Sequence, residues 1–349
     1  MASLLHQLNN NLTYNHLTLF MMKAMVYIRY GPPEVIGVRD VDMPAVGSHD
    51  VLIKIRATTV NRTDCGFRSA NHFVTRLFSG LFKPRLKVLG CEFAGEITAI
   101  GKDVSNFKPG DRVFGFDDAH FGGHAEYKVI AASTPLAMIP EGMEYTEAAA
   151  LTEGSHYALS NIRAAKVKQG DTVLVYGATG AIGSAAVQLL KYFGAYVVAV
   201  SNTKNVRLVK SLGADEVIDY QTERFTDTKH RFNFIFDAVG KSSFRQCKPL
   251  LKPKGIYIST ELGKHSANIG LALITPLGNG KKVLFPIPSI TLADVQLIRK
   301  LAESGRFKPV IDRTYPLHEI VEAYRYAETG QKTGNLVISL ENPENSDRP

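Results

Sequence analysis

The stretch VYGATGAIGSAAVQLLKYFGAYVVAVSNTKN, Val175–Asn205, does most to limit what this chain can become. It runs as apolar strand, glycine-punctuated turn, amphipathic helix and second apolar strand. Strands joined through a helix in this way belong to a parallel sheet. Gly180 lets the backbone come close to a pyrophosphate, where a Cβ would stand in the way. Gly183 lets the helix pack tightly on the first strand. The turn from Thr179 through Gly180, Ala181 and Ile182 to Gly183 then offers free N–H groups, at the positive end of the helix dipole, to an anion. The strict G-x-G-x-x-G form has glycine where this chain has Ala178. A glycine turn alone is often a tight connection only; inside a complete strand-turn-helix-strand unit it reads as a dinucleotide site.

The second strand ends at Val200-Ser201, about 18 residues past Gly183, where an NAD site places a carboxylate against the ribose 2′-hydroxyl. Here Ser201, Asn202 and Lys204 follow instead. Donors and a cation suit a 2′-phosphate, at roughly 1.5–3 kcal/mol per charge-assisted bond. The expected cofactor is therefore NADP(H). The bland reading of Lys204 is a solvated start to the next helix, but the acid is missing either way.

From Lys23 to about Thr152 the chain is β-rich, with short partly alternating runs such as DVLIKIRATTV and FAGEITAIG between Gly, Pro and Asp turns. This predicts an antiparallel barrel-like or sandwich domain over residues 23–152, preceded by an extension, 1–22, of uncertain order. TEAAALTEGSHYALSNIRAAKV reads as one helix with Thr146 at its N-cap. Strands and helices then alternate as a doubly wound parallel sheet over 153–290, with Gly194 and Gly213 as left-handed helix ends. LADVQLIRKLAESG and HEIVEAYRYAETG are amphipathic helices and NLVISL a closing strand. Residues 291–349 break the alternation and are assigned back to the first domain.

Other chemistries fit poorly. The net charge of +8 favours anionic partners, but no dense Lys/Arg run is interleaved with aromatics, which disfavours nucleic acid. No stretch approaches the roughly 18 apolar residues of a membrane span. Cys65, Cys91 and Cys247 are three thiols without C-x-x-C, which points to a reducing compartment, the cytoplasm being the expectation, and excludes a four-cysteine zinc site. The first 22 residues carry no charged side chain, and Asn9, Asn10 and Asn11 interrupt their apolar run, unlike a secretory or mitochondrial leader. Met22 is an alternative start. Gly154-Ser155-His156 is no nucleophile elbow, and Gly240-Lys241-Ser242 lacks Walker spacing because Ile235 stands where glycine is needed. His120 and His124 lie in a Gly-rich segment without a local ligand pair. Asn61-Arg62-Thr63-Asp64 closes a strand; it suits a catalytic edge and an Asx-type turn equally.

With MKAM, VNRTD, GCEFAGEITAIGKDV, FKPGDRVFG, GATGAIGSAAVQLLK, SLGADEVIDY and KTGNLVI in this order, the chain resembles the medium-chain dehydrogenase/reductase superfamily, in particular its zinc-free quinone oxidoreductase branch. The likeness spans nearly everything from Lys23 to Leu340. It implies a GroES-like catalytic domain beside a Rossmann domain, with coenzyme between them and hydride transfer from NADPH to a quinone or α,β-unsaturated carbonyl. In zinc alcohol dehydrogenases of the superfamily a Cys ligand stands at the position of Asn61 and a His at that of Cys91, so the resemblance implies no catalytic metal. It places Asn61 and Asp64 at the nicotinamide end of the cleft, Lys204 and Tyr220 at the 2′-phosphate and Lys332 with the cofactor. Many quinone reductases carry tyrosines after that Asp; this chain has Gly66 and His72, so His72 and solvent both stand as proton donor. The loop from Ser69 to Lys87, with Phe73, Phe78 and Phe82, suits a hydrophobic substrate or a core. KKVLFPIP resembles a strand through which two subunits join, implying a homodimer. A carbonyl or alcohol dehydrogenase, and a non-catalytic NADPH-binding protein, remain as alternatives.

Overall fold

The computed structural model describes residues 21–71 and 73–341. Its central element is a six-stranded, all-parallel sheet. In spatial order the strands are Glu216–Asp219, Tyr196–Ser201, Thr172–Tyr176, Phe232–Asp237, Leu251–Ser259 and Lys282–Leu284. Numbered from Thr172–Tyr176, that order is 3-2-1-4-5-6, a doubly wound dinucleotide fold. The middle strands are apolar on both faces because both are covered. Val173, Val175, Val197, Ala199, Phe234 and Phe236 join one buried cluster, and Leu174, Val198, Val200 and Ile235 join the other.

The strand order reverses between Thr172–Tyr176 and Phe232–Asp237, so their carboxyl ends diverge and leave a crevice. The glycine turn sits there. Gly177 takes φ +81°, and a Cβ on it would lie 2.5 Å from Val239 on the facing loop. A Cβ on Gly183 would run into the Gly177 carbonyl oxygen, so the helix Ala181–Tyr192 can approach the strand only through glycine. Gly194 and Gly213 take positive φ at helix ends, as their positions suggest.

The second sheet is mostly antiparallel. Its path runs Ile311–Pro316, Asn335–Ser339, Asp50–Val60, Glu92–Ile100, Arg112–Phe116 and Leu136–Met138, with Tyr127–Ala131 also paired to Asp50–Val60. The chain thus returns from the parallel sheet to complete the first. Leu336 pairs with Val60, at the end of the strand that delivers Asn61. The strand Ile311–Pro316, absent from the sequence reading, pairs parallel to Asn335–Ser339. Met21–Tyr27 and Ile36–Asp42 form a separate two-stranded ribbon.

The long helix expected from Thr146 is instead two, Tyr145–Ala149 and Glu153–Ala164. Glu144, rather than Thr146, holds the first N-cap position. The break falls where the buried Glu92 carboxylate accepts from the Thr152 N–H (3.2 Å), the Thr152 hydroxyl (2.9 Å) and the Glu153 N–H (2.8 Å). A second helix start is capped from another strand, which no local pattern announces.

Gly183→Ala should lower stability by about 2–3 kcal/mol through overpacking. Gly180→Ala, whose Cβ would meet only the Gly177 oxygen at 3.9 Å, should change it by less than about 0.5 kcal/mol. Urea midpoints followed by circular dichroism separate the two, and equal shifts would refute this packing account.

Candidate active site

The helix after the glycine turn starts without a side-chain cap. Its first helical bond runs from the Ser184 N–H to the Gly180 carbonyl (2.8 Å), which leaves the Ala181, Ile182 and Gly183 N–H groups in the uncapped first turn. No protein atom requires glycine at 180, so the open space beside it fits close approach by a phosphate-bearing ligand. Thr179 gives its carbonyl to the Gly334 N–H (2.7 Å), which clips the turn to the returning C-terminal segment.

At the end of the second strand Ser201 is buried, Asn202 half-buried and Lys204 exposed. Among the described residues the Asn202 Oδ1 is buried without a partner, an acceptor open to a ligand group. Tyr220 donates its N–H to the Ser201 carbonyl (3.0 Å) and leaves its ring 53% exposed beside that edge. One acid does stand nearby: Asp219 accepts from the Thr203 hydroxyl (2.5 Å) and the Gln221 N–H (3.0 Å). The opposite wall is fixed by Asp237, whose carboxylate accepts N–H groups of Val239, Gly240, Lys241 and Ser242 and the Ser242 hydroxyl. That belt holds the facing loop rigid, and the sequence reading passed over it.

Asn61 and Asp64 are buried and form a reciprocal capping box at the start of the helix Arg62–Ser69. Asp64 also accepts the Gly90 N–H (2.9 Å), and Asn61 donates to the Cys91 Sγ (3.1 Å). Burial raises Asp64 to about 7, against those two N–H donors. Between these residues the Thr63 hydroxyl points away from the box and donates to Glu153 Oε1 (2.8 Å), with the Tyr157 hydroxyl 3.4 Å distant. Arg62 reaches Glu261 of the other sheet's loops at 2.9 Å, bridging the crevice. Lys332 is half-buried, with its Nζ donating to the Gly334 carbonyl. Desolvation holds its pKa below the usual lysine range, although the nearby Glu153 opposes this.

Sequence reading singled out the stretch Asn61–Asp64 but gave Thr63 no role of its own, and passed over Glu153 and Tyr157. The available signal was Glu153 itself, a lone acid inside the apolar run AAALTEGSHYAL. His72 lies outside the described residues. The segment after it forms the helix Phe73–Ser79, followed by Phe82 with its ring 90% exposed.

Among the described residues no three His, Cys, Asp or Glu side chains converge as a metal set. His124 is buried, pairs its Nε2 with the Thr59 carbonyl (2.8 Å), and is held near 4 by desolvation. The unfolded chain would take up that proton near 6.5, so His124 contributes stability that is lost as pH falls from about 6.5 to about 4. His124→Gln should flatten this part of the stability curve, by at most on the order of 3 kcal/mol, in urea titrations from pH 7 to pH 4.

The family described as alcohol dehydrogenase GroES-like domain matches residues 47–141, and that described as zinc-binding dehydrogenase matches residues 212–338. A tomato (Solanum lycopersicum) 2-methylene-furan-3-one reductase is 33% identical over 336 residues, covering 91% of this chain and 79% of the relative. An Arabidopsis thaliana chloroplastic NADPH-dependent alkenal/one oxidoreductase is 29% identical over 332 residues, with the same coverage of each chain. The solved quinone oxidoreductase of Coxiella burnetii superposes with a TM-score of 0.82 at 28% identity, covering 92% of this chain and 100% of that one. Fold, glycine turn and relatives agree, and the chain belongs to the quinone oxidoreductase branch of the medium-chain dehydrogenase/reductase superfamily.

Proposed function

We propose that this protein is an NADPH-dependent oxidoreductase that reduces a quinone or an α,β-unsaturated carbonyl. The observation that carries this is the open cradle at the crevice, where unpaired N–H groups of Ala181, Ile182 and Gly183 meet the donor-rich edge of Ser201, Lys204 and Tyr220. Bound there, NADPH supplies the hydride. The amides hold the pyrophosphate at the helix N-terminus, and Lys204 and Tyr220 take the 2′-phosphate. Lys332, clipped beside the glycine turn, holds the inner end of the cofactor. Asn61 and Asp64 line the reacting end, and His72 is kept from the sequence as one candidate proton donor. A conjugated acceptor needs only orientation, stabilisation of the developing oxyanion and a proton.

The named chemistry of the relatives supports this acceptor class: alkenals, an exocyclic enone and quinones. The segment from Ser69 to Lys87 suits a hydrophobic substrate. We read the exposed edge strand Lys282–Leu284 as the seam of a homodimer. No helix among the described residues is long and apolar enough to cross a membrane. The free thiols Cys65, Cys91 and Cys247 support a reading of a cytoplasmic enzyme.

Steady-state NADPH oxidation by metal-free protein against quinones, enals and saturated ketones tests the proposal. Turnover confined to the conjugated substrates is expected. Tight NADPH binding without turnover would move the reading to a non-catalytic binding protein, and turnover only with saturated ketones after zinc addition to an alcohol dehydrogenase. Lys204→Ala should weaken NADPH binding by tenfold or more, about 1.5–3 kcal/mol for a charge-assisted bond, and leave NADH binding nearly unchanged. Titration of both cofactors by fluorescence decides this, and equal losses would remove Lys204 from the 2′-phosphate site.

A further inference from the structure

Three acids lie together under the inner end of the crevice, and they differ in how well they are satisfied. Glu92 accepts four hydrogen bonds and Asp64 two. Among the described residues Glu153, 4% exposed, accepts only one with its side chain, from Thr63, and its Oε2 is buried with no partner. The Thr63 hydroxyl stands beside it and the Tyr157 hydroxyl 3.4 Å beyond Thr63, both on half-buried residues, so a chain of two hydroxyls runs outward from the buried carboxyl. The position is close to the cofactor cradle: a Cβ on Gly154, the next residue, would lie 2.5 Å from the Ala181 carbonyl at the start of the glycine-turn helix.

We propose that Thr63 delivers the proton that completes reduction, and that Glu153, acting through Thr63, is the reservoir that supplies it. This rests on the functional reading above. Hydride addition to the β-carbon of an enone moves the C=C electron pair onto the carbonyl, leaving an enolate. With Glu153 protonated the 2.8 Å contact runs the other way, the Glu153 O–H donating to the Thr63 oxygen and the Thr63 O–H turned to the enolate. The Thr63 Oγ–H bond breaks as its proton passes to the enolate, and the Glu153 proton refills Thr63. The Glu153 carboxylate is then reprotonated from water by way of the Tyr157 hydroxyl and, in turn, the Thr63 hydroxyl 3.4 Å from it. Nothing besides the cofactor and the enone changes oxidation state.

Burial keeps the proton on Glu153. Glu92 and Asp64 on neighbouring elements repel a second charge there, whereas Lys332 and the Thr63 hydrogen bond favour it. Desolvation is the largest of these and sets the pKa well above the ordinary glutamate value. A filled reservoir requires the protonated form, so turnover should be highest below that pKa and fall as pH rises through it.

Glu153→Gln should lower kcat about a hundredfold or more, the span of general acid catalysis, with the NADPH Kd within about twofold. It should also abolish the alkaline fall of the wild-type profile. Thr63→Val should cost about the same, and the double variant no more than either alone. In cofactor-free protein at pH 7, infrared spectroscopy should show a protonated-carboxyl band that Glu153→Gln removes. A Glu153→Gln enzyme with kcat within about threefold of wild type, or one that keeps the alkaline fall, overturns the proposal. A loss of NADPH affinity matching the loss of kcat/KM also overturns it, because Glu153 would then be a binding residue. A wild-type protein that reduces neither quinones nor enones defeats the functional reading instead. The infrared band still decides in that case, since its absence shows an ionised Glu153 and ends the reservoir.

Discussion

One buried carboxylate joins the two halves of this protein. Glu92, on a strand of the mostly antiparallel sheet, accepts the Thr59 hydroxyl (2.6 Å) from the neighbouring strand. Its other oxygen takes the N–H and hydroxyl of Thr152 and the N–H of Glu153, where the helix leading into the parallel sheet begins. An anion at a helix N-terminus meets unpaired amides and the positive end of the dipole, which offsets part of the cost of burying it. Burial still pushes its pKa upward, so the junction depends on all four donors staying in place. The same contact starts the helix at Glu153, and so fixes where Glu153 and Tyr157 stand relative to Thr63.

The crevice is made by two further constraints that act from opposite sides. The reversal of strand order opens it, and the Asp237 belt keeps the far loop from collapsing into it. On the near side the C-terminal return closes back through Gly334, bonded to Thr179, and through Asn205, whose side chain donates to the Thr333 hydroxyl (3.3 Å). The far wall is therefore held by a local belt, and the near wall by residues far away in sequence. A loop carrying the same glycines without those clips would have to pay the ordering entropy when its ligand arrived.

This explains which parts were legible in the sequence. The glycine turn, the apolar strands around it and the helix ends at Gly194 and Gly213 depend on neighbours a few residues away, and each appears where its local pattern puts it. The helix break at Ala150–Thr152 depends on Glu92, about sixty residues earlier, so an unbroken helical pattern hid it. The strand Ile311–Pro316 carries Asp312, Arg313 and Thr314 and shows little apolar alternation; only its partner Asn335–Ser339 makes it a strand. At the site, Asn61 and Asp64 were visible as polar residues closing a strand. Their reciprocal cap, and the turning of Thr63 toward Glu153, required the helix geometry.

The three acids under the crevice show how a fold can separate architecture from chemistry with one residue type. A buried carboxyl costs several kcal/mol unless donors surround it, and each donor also fixes a piece of backbone. Glu92, with four donors, ties two domains together. Asp64, with two, shapes a loop and caps a helix. Both are committed to structure, each accepting backbone N–H groups that fix a piece of the fold. Glu153 has one hydroxyl partner and, among the described residues, an unpartnered oxygen, so a change in its protonation disturbs a single side-chain contact. The least satisfied of the three acids is the one to which we assign the proton transfer.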